Sequence, residues 1–591
     1  MKVKLLFTFF LLFYAAIIVR LFYLQALSKN TGSQDLYLKT LSISPERGKI
    51  YDRGGNPLVL NQNSYLLYVE PKKITDKTKV IETLAEKLKI DEATLSATIN
   101  DKLVYQAVKG ALSEEEKTAV EKEKLAGVGF SYEMRRFYPE ASLSAHLTGF
   151  VGKDEKGDDL GYFGLEGFYD KDLKGLPGFL ETERDILGRP IFVGTQSRVE
   201  PENGRDLYLT IDKGIQEIAK RQLRTGIERY EARQGCVIIA APNTMAILAL
   251  TCLPDYDMEK YFEFNDDYFE NSAVSEVYEP GSIFKPLLMA AAIEEKKVKP
   301  EDTMNESGPV KIGEYSIKTW NDQYSGKISM TRILEKSSNV GMVYVGQKLG
   351  SKNLYSYLEK YGFGEATDID LQGEATGYLK PESDWYPIDY ATVTFGQGIA
   401  ISPIQMIRAF AALINGGNLM KPYVVEKMVS EQGEKTIKPA VVAKVLSVRT
   451  SEIIKKMLVS TVENAEAKWD RPAGYKIGGK TGTAQIPIQG HYDPSKTIAS
   501  FIGFAPADKP KFIALVLLRE PKTSPWGSET AAPLFVKVIE YFLVLTVNRF
   551  SFPTARTVST LTCPDAADIS ASAFLEASAC CVSAGFFADL H

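Results

Sequence analysis

The sequence predicts a large α/β domain that follows an elongated α+β segment and an N-terminal membrane-spanning helix. Two observations carry this expectation: the N terminus is apolar, and the pattern of the chain changes near Asp206. Before that change, strand-like runs mix with charged helical pieces without a repeat; after it, strands alternate with long helical patterns to about Leu545. We therefore divide the chain into an anchor (residues 1–27), a pedestal (28–200), an α/β domain (201–546) and a tail (547–591).

The N-terminal stretch from Leu5 to Leu27 is mostly apolar, and its one charged residue is Arg20. Its 23 residues would form a helix of about 34 Å at ~1.5 Å per residue, long enough to cross a bilayer. Lys2 and Lys4 precede it, so the positive-inside rule places them in the cytoplasm and the rest of the chain outside. A cleaved signal peptide is the alternative, but no small-x-small cleavage site precedes Ser28. We therefore expect an uncleaved single-pass anchor in the cytoplasmic membrane.

Composition and charge disfavour several classes of function. The 591 residues include 70 Lys and Arg against 75 Asp and Glu, for a net charge of −5. There is no overall basic character to attract nucleic acid, so we expect no nucleic-acid partner. Three histidines and five cysteines occur without a CxxC or HExxH spacing, so we expect no metal site and no cofactor. His146 and His491 are expected to be packing or surface residues.

The start of the α/β domain predicts a strand over Leu207–Ile211, an amphipathic helix over Lys213–Tyr230 and then a hairpin. Cys236 and Cys252 lie symmetrically about Thr244 in the predicted turn, so antiparallel pairing places them opposite each other within about one residue. Cross-strand Cα distances of about 4.5–5.5 Å suit a disulfide, which the extracytoplasmic side permits. Two buried thiols are the alternative.

The first candidate catalytic residue is Ser282, which follows a Pro-Gly loop and begins a predicted helix. Pro286 falls in the first turn of this run, where a missing N–H is tolerated. Lys285 lies three residues after Ser282, so both side chains share one face of the helix. A serine hydroxyl needs a base near neutral pH, and a nearby lysine can replace the scarce histidines. An ordinary helix N-cap is the alternative, although no other Ser-x-x-Lys occurs in the chain.

Two further motifs follow in the same domain. Ser337-Ser338-Asn339 comes after an apolar helical run, and Lys480-Thr481-Gly482-Thr483 lies in a strand-like segment. Lys-Thr-Gly occurs once, whereas Ser-x-Asn also occurs at Ser28 and Ser351. The gaps are 55 residues from Ser282 to Ser337 and 143 residues from Ser337 to Lys480. The ordered set is typical of enzymes that form an acyl ester on serine.

With these motifs the chain resembles the class B penicillin-binding proteins, the monofunctional peptidoglycan D,D-transpeptidases, from residue 1 to about residue 545. The resemblance implies a penicillin-binding transpeptidase domain, which is an antiparallel sheet flanked by helices. One departure is Gly54-Gly55, where the family usually has Asn-Gly. Further matching segments are Arg47-Gly48-Lys49-Ile50-Tyr51-Asp52-Arg53, Arg136-Phe137-Tyr138-Pro139, Gly164-Leu165-Glu166-Gly167 and Phe395-Gly396-Gln397-Gly398.

The resemblance also implies roles for the first two motifs. Ser282 attacks the carbonyl between the two terminal D-alanines of a peptidoglycan stem peptide, and Lys285 accepts its proton as a neutral amine. Ser337 relays the proton to the leaving nitrogen, and Asn339 holds the amide backbone of the donor peptide. β-Lactams acylate Ser282 because they mimic the D-alanyl-D-alanine terminus.

The third motif is implied to bind the end of the donor peptide. Lys480 and the hydroxyls of Thr481 and Thr483 take the terminal carboxylate, and Gly482 keeps the strand edge clear. The N–H groups of Ser282 and Thr483 form the oxyanion hole. The donor adds to the strand edge, and the amine of a second stem peptide then attacks the ester to give a cross-link.

We expect a charged network in the pedestal, formed by Arg47, Asp52, Arg53 and Glu166. The expectation is motivated by opposite charges that recur in glycine-rich segments resembling those of the family pedestal. The network would hold the pedestal in shape and offer a surface to a partner. Taken alone, the segment around Arg53 is better explained as a turn with solvated charges.

The order of the domains and the intact motifs distinguish a transpeptidase from the other candidate functions. No glycan polymerase module precedes the α/β domain, so a separate SEDS-family membrane polymerase is the expected partner. A β-lactamase or penicillin sensor would not need the pedestal, and a non-catalytic scaffold of the wall machinery would have decayed motifs. The segment Gly396-Gln397-Gly398 favours the division and sporulation branch over elongation.

The tail differs from the rest of the chain in composition. Residues 549–591 contain no lysine, nine alanines and three of the five cysteines. Neither a helical nor a strand period there is long enough to build a domain. We expect residues 547–591 to be an appended or frame-shifted segment outside the enzyme, with a small membrane-interacting or redox tail as the alternative.

Overall fold

The computed structural model describes residues 2–23, 38–100, 102–183, 196–464, 475–488 and 491–550. Its first element is helix α1 (Lys2–Phe22), whose part from Lys4 to Phe22 is long and apolar enough to cross a membrane. No other helix in the described ranges meets that condition. Helix α1 is therefore consistent with the predicted membrane anchor, and residues 24–27 of the predicted span lie outside the described residues.

The pedestal consists of short strands and helices. In chain order the pedestal elements are β1 (Leu38–Ile43), β2 (Ile50–Tyr51), β3 (Pro57–Val69), α2 (Lys77–Leu88), α3 (Glu92–Thr98), β4 (Gln106–Leu112), α4 (Glu114–Glu121), β5 (Val128–Phe137), α5 (Ala145–Thr148), β6 (Phe150–Lys153), β7 (Asp159–Tyr162), α6 (Gly164–Phe168), α7 (Asp170–Lys174), β8 (Gly178–Glu183) and β9 (Gln196–Val199). Strands β1, β8 and β9 form an antiparallel sheet with β8 in the middle.

The helices α2, α3 and α4 begin where the sequence supplies N-caps. The carboxylates of Asp76 and Asp91 accept hydrogen bonds from the first-turn N–H groups of α2 and α3. Ser113 and Glu116 form a reciprocal capping box at the start of α4. The apolar faces of these helices then pack on β3 and β4 around buried leucines such as Leu84. This cluster gives the pedestal a core of its own.

The α/β domain follows β9. Its 3₁₀ turns are Met258–Glu263, Asp266–Tyr268, Gly281–Phe284, Glu382–Asp384 and Val393–Phe395. Its strands and α-helices are β10 (Asp206–Leu209), α8 (Lys213–Tyr230), β11 (Gln234–Ala240), β12 (Ile247–Leu253), α9 (Lys285–Glu294), β13 (Thr303–Glu306), β14 (Val310–Ile312), β15 (Tyr315–Ile317), β16 (Gly326–Ser329), α10 (Met330–Glu335), α11 (Asn339–Leu349), α12 (Ser351–Lys360), α13 (Pro387–Thr392), α14 (Pro403–Ile414), β17 (Asn418–Met420), β18 (Val425–Ser430), β19 (Gly433–Thr436), β20 (Val441–Lys444), α15 (Val448–Glu463), β21 (Gly478–Ile488), β22 (His491–Ala505), β23 (Phe512–Arg519) and α16 (Ala531–Phe550).

The main sheet of this domain is antiparallel, with the strand order β12-β11-β23-β22-β21. Helix α8 packs on β11 and β12, while α15 packs on β21. Strand β23 is buried along most of its length, as expected for a central strand covered on both faces. Strand β21 pairs with β22 on one side, and no described strand pairs with its other side. The sheet therefore ends in an open edge at β21.

A second, mixed sheet joins the pedestal to the α/β domain. Strand β10 pairs in parallel with β2, with Leu207 opposite Ile50, and antiparallel with β18. The order is β19-β18-β10-β2-β3-β4, and β5 also pairs with β3. Hydrogen bonds of one sheet thus cross the boundary that we expect near residue 200.

The hairpin of β11 and β12 has the register predicted from the cysteines. Cys236 lies directly opposite Cys252, with a Cα–Cα distance of 4.1 Å, and a disulfide joins them. Both residues are buried, and the Cys236 sulfur also contacts the Ser272 hydroxyl at 3.1 Å. The facing pair predicted from the turn is confirmed, and of the two alternatives the structure has the disulfide.

The last described helix, α16, extends past Leu545, where the pattern of the α/β domain is expected to end. It starts at Ala531 and ends at Phe550, four residues into the predicted tail. Its Phe535 ring packs on Phe501 of β22, with 4.7 Å between ring centroids. Residues 551–591, the rest of the predicted tail, lie outside the described residues.

Candidate active site

Ser282 lies in a 3₁₀ turn that precedes the helix, and not in the first turn of the helix itself. Ser282 belongs to the 3₁₀ turn Gly281–Phe284, and helix α9 begins directly after it at Lys285. Residues three apart in a 3₁₀ turn eclipse each other, so the two side chains still share a face. Gly281 has a φ of +60°, which a side chain would strain, and its N–H donates to the Gly396 carbonyl at 3.0 Å. Ser282 is half-buried beside this turn.

Lys285 is completely buried, with 0% of its surface exposed. Its Nζ donates to the Ser337 carbonyl at 2.5 Å and to Asn339 Oδ1 at 2.7 Å, and lies 3.2 Å from Ser337 Oγ. Burial and the charge of nearby Lys480 lower the pKa of Lys285 well below the value of a free lysine, although Glu306 opposes the shift. The shift is towards the neutral amine, the form that can accept a proton.

The Ser337–Asn339 turn is held in place by a buried carboxylate. Ser337 has a φ of +54°, and Asn339 is the first residue of helix α11. Ser338 caps that helix by accepting from the Gly341 N–H at 2.8 Å, and its hydroxyl donates to Glu306. Glu306 was not anticipated, because an isolated acidic residue in a short strand has no distinguishing sequence pattern. Its contact with Ser338 makes it a support of the second motif.

The structure distinguishes the copies of the Ser-x-Asn motif. Ser337 and Asn339 lie against Lys285, whereas Ser351 is exposed at the start of α12. Asn353, the partner of Ser351 in the motif, donates to a backbone carbonyl of the preceding helix at 3.1 Å. The copy at residues 28–30 lies outside the described residues. The turn beginning at Ser337 is thus the copy that contacts the candidate base.

Lys480 lies on the open edge strand β21 and is 2% exposed. Its Nζ donates to Ser337 Oγ at 3.0 Å and to the Thr481 carbonyl at 3.0 Å. Burial lowers the pKa of Lys480 to about 7. Ser337 Oγ therefore lies between two buried amines, one on α9 and one on β21. An arriving carboxylate would favour the charged form of Lys480.

The remaining residues of the third motif explain how β21 approaches the serine turn. A Cβ on Gly482 would lie 2.4 Å from Ser500 Oγ and 2.9 Å from Ile283 Cγ2, so this close approach requires glycine. Thr483 Oγ1 accepts from the Gly527 N–H at 3.1 Å, which leaves its own proton available to a ligand. Thr481 Oγ1 lies 3.4 Å from the Nζ of Lys480.

The predicted pedestal network is only partly assembled. Glu166, fully buried, forms ion pairs with Arg47 at 2.5 Å and with Arg136 at 2.6 Å, and Arg47 also contacts Asp170 at 2.8 Å. Burial opposes the charged form of Arg47, but the two carboxylates outweigh it and raise the pKa of this residue. Arg136 and Asp170 are therefore members that the sequence reasoning missed.

Asp52 and Arg53 do not contact the Glu166 cluster. The Asp52 carboxylate accepts from the N–H groups of Gly54 at 2.8 Å and Asn56 at 2.7 Å, because a short acidic side chain readily closes a turn on its own backbone. The side chain of Arg53 is exposed, and its N–H donates to the Ile211 carbonyl. The expected four-residue network is thus corrected to the pair of Arg47 and Glu166 with two new members.

His146, the histidine whose side chain is described, makes its contacts outside the three motifs. His146 is buried, with Nε2 2.9 Å from the Tyr268 carbonyl, and burial lowers its pKa. Within the described ranges, no group of three or more His, Cys, Asp or Glu residues is placed to hold a metal ion. The side chain of His491 is not among those described.

Two family models match the chain. One, described as "Penicillin binding protein transpeptidase domain", matches residues 235–540, and the other, "Penicillin-binding Protein dimerisation domain", matches residues 42–209. Stage V sporulation protein D of Bacillus subtilis (strain 168) is 33% identical over 511 residues, or 85% of this chain and 78% of that protein. Peptidoglycan D,D-transpeptidase FtsI of Escherichia coli (strain K12) is 29% identical over 549 residues, or 89% of this chain and 88% of that protein.

The fold is similar to that of solved structures as well. Penicillin Binding Protein 2X from Streptococcus thermophilus aligns with a TM-score of 0.72 and 25% identity, over 86% of this chain and 81% of that one. The matches include the pedestal as well as the α/β domain that contains the three motifs. On these grounds the chain belongs to the class B penicillin-binding proteins.

Proposed function

We propose that this protein is a serine-type peptidoglycan D,D-transpeptidase that cross-links stem peptides through an acyl ester on Ser282. One observation carries the proposal: the fully buried amine of Lys285 follows Ser282 by one turn and contacts Ser337 and Asn339 of the second motif. A buried lysine with a lowered pKa is costly to the fold and suits proton transfer. The names of the relatives support the same reaction.

In the first step, Ser282 Oγ attacks the carbonyl between the two terminal D-alanines. Lys285 takes the hydroxyl proton, and the N–H groups of Ser282 and Thr483 stabilise the oxyanion. The C–N bond then breaks, and a proton passes through Ser337 to the leaving nitrogen. Free D-alanine departs, and the rest of the donor remains as an ester on Ser282.

The donor is held along the open edge of β21. Its terminal carboxylate lies against Lys480 and the hydroxyls of Thr481 and Thr483, while Asn339 holds its amide backbone. In the second step, the neutral amine of another stem peptide attacks the ester carbonyl. Lys285, or Ser337 acting as its relay, takes the proton of that amine and returns one to Ser282 Oγ. The products are an amide cross-link and the free serine.

The membrane arrangement follows from the apolar N-terminal helix. Lys2 and Lys4 lie in the cytoplasm, and the pedestal and transpeptidase domain lie outside, where peptidoglycan is assembled. A SEDS-family polymerase supplies the glycan strands and contacts the pedestal. The relative named for stage V sporulation supports a role in wall synthesis during sporulation or division.

The proposal is tested with the full-length protein in detergent. We expect a synthetic stem peptide ending in D-Ala-D-Ala, together with an acceptor amine, to give an amide-linked product and one D-alanine per link. We also expect one equivalent of β-lactam to remain bound. Rapid turnover of β-lactam without cross-linking would instead indicate a β-lactamase, and the absence of any adduct would indicate a scaffold.

A further inference from the structure

Glu279 lies three residues before Ser282, and the motif roles leave it unused. Its carboxylate accepts two hydrogen bonds from distant parts of the chain. The Gly398 N–H donates to Oε1 at 2.9 Å, and the Tyr492 hydroxyl lies 3.0 Å from Oε2 and 3.2 Å from Oε1. Glu279 and Ser282 thus belong to one short segment that is hydrogen-bonded to two distant parts of the chain.

The contact with Gly398 fixes the serine segment on its inner side. Tyr278 exchanges backbone hydrogen bonds with Ile401, at 2.9 and 3.0 Å, and the Gly281 N–H donates to the Gly396 carbonyl. With Gly398 bound to Glu279, three successive attachments hold residues 278–281 on the loop after the Val393–Phe395 turn. The segment that presents Ser282 is therefore firmly seated.

The contact with Tyr492 reaches a different element. Tyr492 lies near the start of β22, opposite Pro487 of β21, close to the turn of the hairpin that these strands form. That hairpin also contains Lys480 and Thr483. At the other end of the contact region, the serine turn meets β21 through apolar and glycine contacts, such as Gly482 against Ile283. Among the described residues, the bond between Glu279 and Tyr492 is a directional polar link from the serine segment to this hairpin.

The spacing between these two elements matters for the chemistry. The two N–H groups of the oxyanion hole come from Ser282, on the serine turn, and Thr483, on the hairpin. Oxyanion donors act only when they are held at hydrogen-bond distance from the position of the developing charge. A shift of the hairpin relative to the turn would move one donor and leave the other in place. This argument rests on the proposed function.

We propose that Glu279 is a positioning residue that, through the hydroxyl of Tyr492, holds the β21–β22 hairpin at the distance from Ser282 that the oxyanion hole requires. Glu279 does not touch the substrate in this role. Its carboxylate is half-buried, and burial raises its pKa, while the hydrogen bonds from Gly398 and Tyr492 oppose that rise. The two bonds offset part of the cost of burying the charge.

The test is Tyr492→Phe, which removes one hydroxyl and keeps the ring. Stopped-flow acylation of the full-length protein by a β-lactam separates the dissociation constant of the first complex from the rate constant of acylation. We expect the rate constant to fall about tenfold, because a donor is displaced and not removed, with less than a twofold change in the dissociation constant. The matched control is Tyr132→Phe in the pedestal, whose exposed hydroxyl donates to Asn63 at 2.8 Å, and it should behave as the wild type.

A double-mutant cycle identifies Glu279 as the residue through which Tyr492 acts. In a Glu279→Ala background, Tyr492→Phe should cause no further loss of the acylation rate constant. Equal losses in both backgrounds would overturn the proposal, as would an unchanged rate constant in Tyr492→Phe alone or an effect confined to the dissociation constant. If Glu279→Ala does not fold, the single Tyr492→Phe variant decides. If the wild type is not acylated, the proposed function fails, and the positioning role of Glu279 is refuted with it.

Discussion

At the scale of single residues, the site is organised around two buried lysines that share the hydroxyl of Ser337. Lys285 and Lys480 approach this oxygen from a helix and from a strand, at 3.2 and 3.0 Å. Both side chains are almost completely buried, and two ammonium groups that contact the same hydroxyl oxygen would repel each other in a medium of low dielectric. Burying both amines therefore lowers the free energy of unfolding. The proposed roles of the two lysines explain why the protein tolerates this loss.

Replacing one of the two lysines should therefore raise the free energy of unfolding. Lys480→Met keeps the length of the side chain and removes the amine. In the wild type the pKa is about 7, against ~10.4 in an unfolded chain, so between these values the unfolded state binds one more proton and stability rises with pH. The variant lacks this slope, and its gain in the free energy of unfolding should be largest at pH 7 and below.

Urea unfolding at pH 6 and pH 9 measures the effect of Lys480→Met. Acylation by β-lactam should be lost in the same variant, because the carboxylate of the ligand loses its cation. A wild type and a variant with the same dependence of stability on pH would contradict a buried, deprotonation-prone amine at this position.

At the scale of elements, the edge strand and the serine turn fit together through glycine. The absence of a side chain at Gly482 lets β21 lie against Ile283, the neighbour of Ser282. The open edge of β21 is then level with the serine turn, where an extended peptide can add to it. The Gly482 contact thus brings the edge strand close to the turn that contains Ser282.

Gly482→Ala should uncouple these two elements. The new methyl would lie 2.4 Å from Ser500 Oγ and 2.9 Å from Ile283 Cγ2, so β21 must move away from the serine turn. We expect the acylation rate to fall by about 10²-fold or more, in line with the loss of an oxyanion donor. Gly308→Ala is the matched control, because nothing lies within 4 Å of its added Cβ. Equal acylation rates in the two variants would show that the close approach is dispensable.

The sequence predicts elements well where the determining contacts are local. The register of Cys236 and Cys252 follows from one short turn, and the proximity of Lys285 to Ser282 follows from one helical turn. The start of α9 at Lys285 differs from the expected start at Ser282, because a glycine with positive φ enforces a 3₁₀ turn first. Local pattern does not distinguish these two kinds of turn.

Contacts between distant segments were not predictable for residues outside the three motifs. Glu306 meets Ser338 across 32 residues, and Glu279 meets Tyr492 across 213 residues, with no spacing or composition to mark either pair. The corrected pedestal cluster has the same origin, since Glu166 of α6 binds Arg47, which precedes β2, and Arg136 of β5. The three motifs predict the candidate reacting groups. The residues that support them, such as Glu306 and Glu279, can be identified only from the tertiary structure.

At the scale of the whole molecule, the pedestal and the transpeptidase domain are connected by a common sheet. Strand β10 contributes hydrogen bonds to β2 of the pedestal and to β18 of the α/β domain. The Glu166 cluster lies in the pedestal near this connection, since Asn61 of β3 binds both the Arg47 carbonyl and the Arg136 guanidinium, each at 2.6 Å. We infer that the two domains unfold cooperatively.

Glu166→Ala tests this cluster. It leaves Arg47 and Arg136, both nearly buried, without their shared carboxylate, and we expect a loss of about 3–5 kcal/mol in the free energy of unfolding. Arg53→Ala, at an exposed position, should change it by less than about 0.5 kcal/mol and should keep β-lactam acylation. Chemical denaturation of both variants makes the comparison. A Glu166→Ala variant as stable as Arg53→Ala would refute the cluster as a structural support.

The central claim is that Ser282 is the nucleophile and Lys285 its base. Intact-mass and peptide mass spectrometry of the full-length protein after incubation with benzylpenicillin tests it most directly. We expect one penicilloyl group per chain, located on Ser282, no adduct in Ser282→Ala, a loss of several orders of magnitude in acylation rate in Lys285→Ala, and normal acylation in the Ser351→Ala control. Stoichiometric acylation of the Ser282→Ala variant, or an adduct on any other residue of the wild type, would contradict the account.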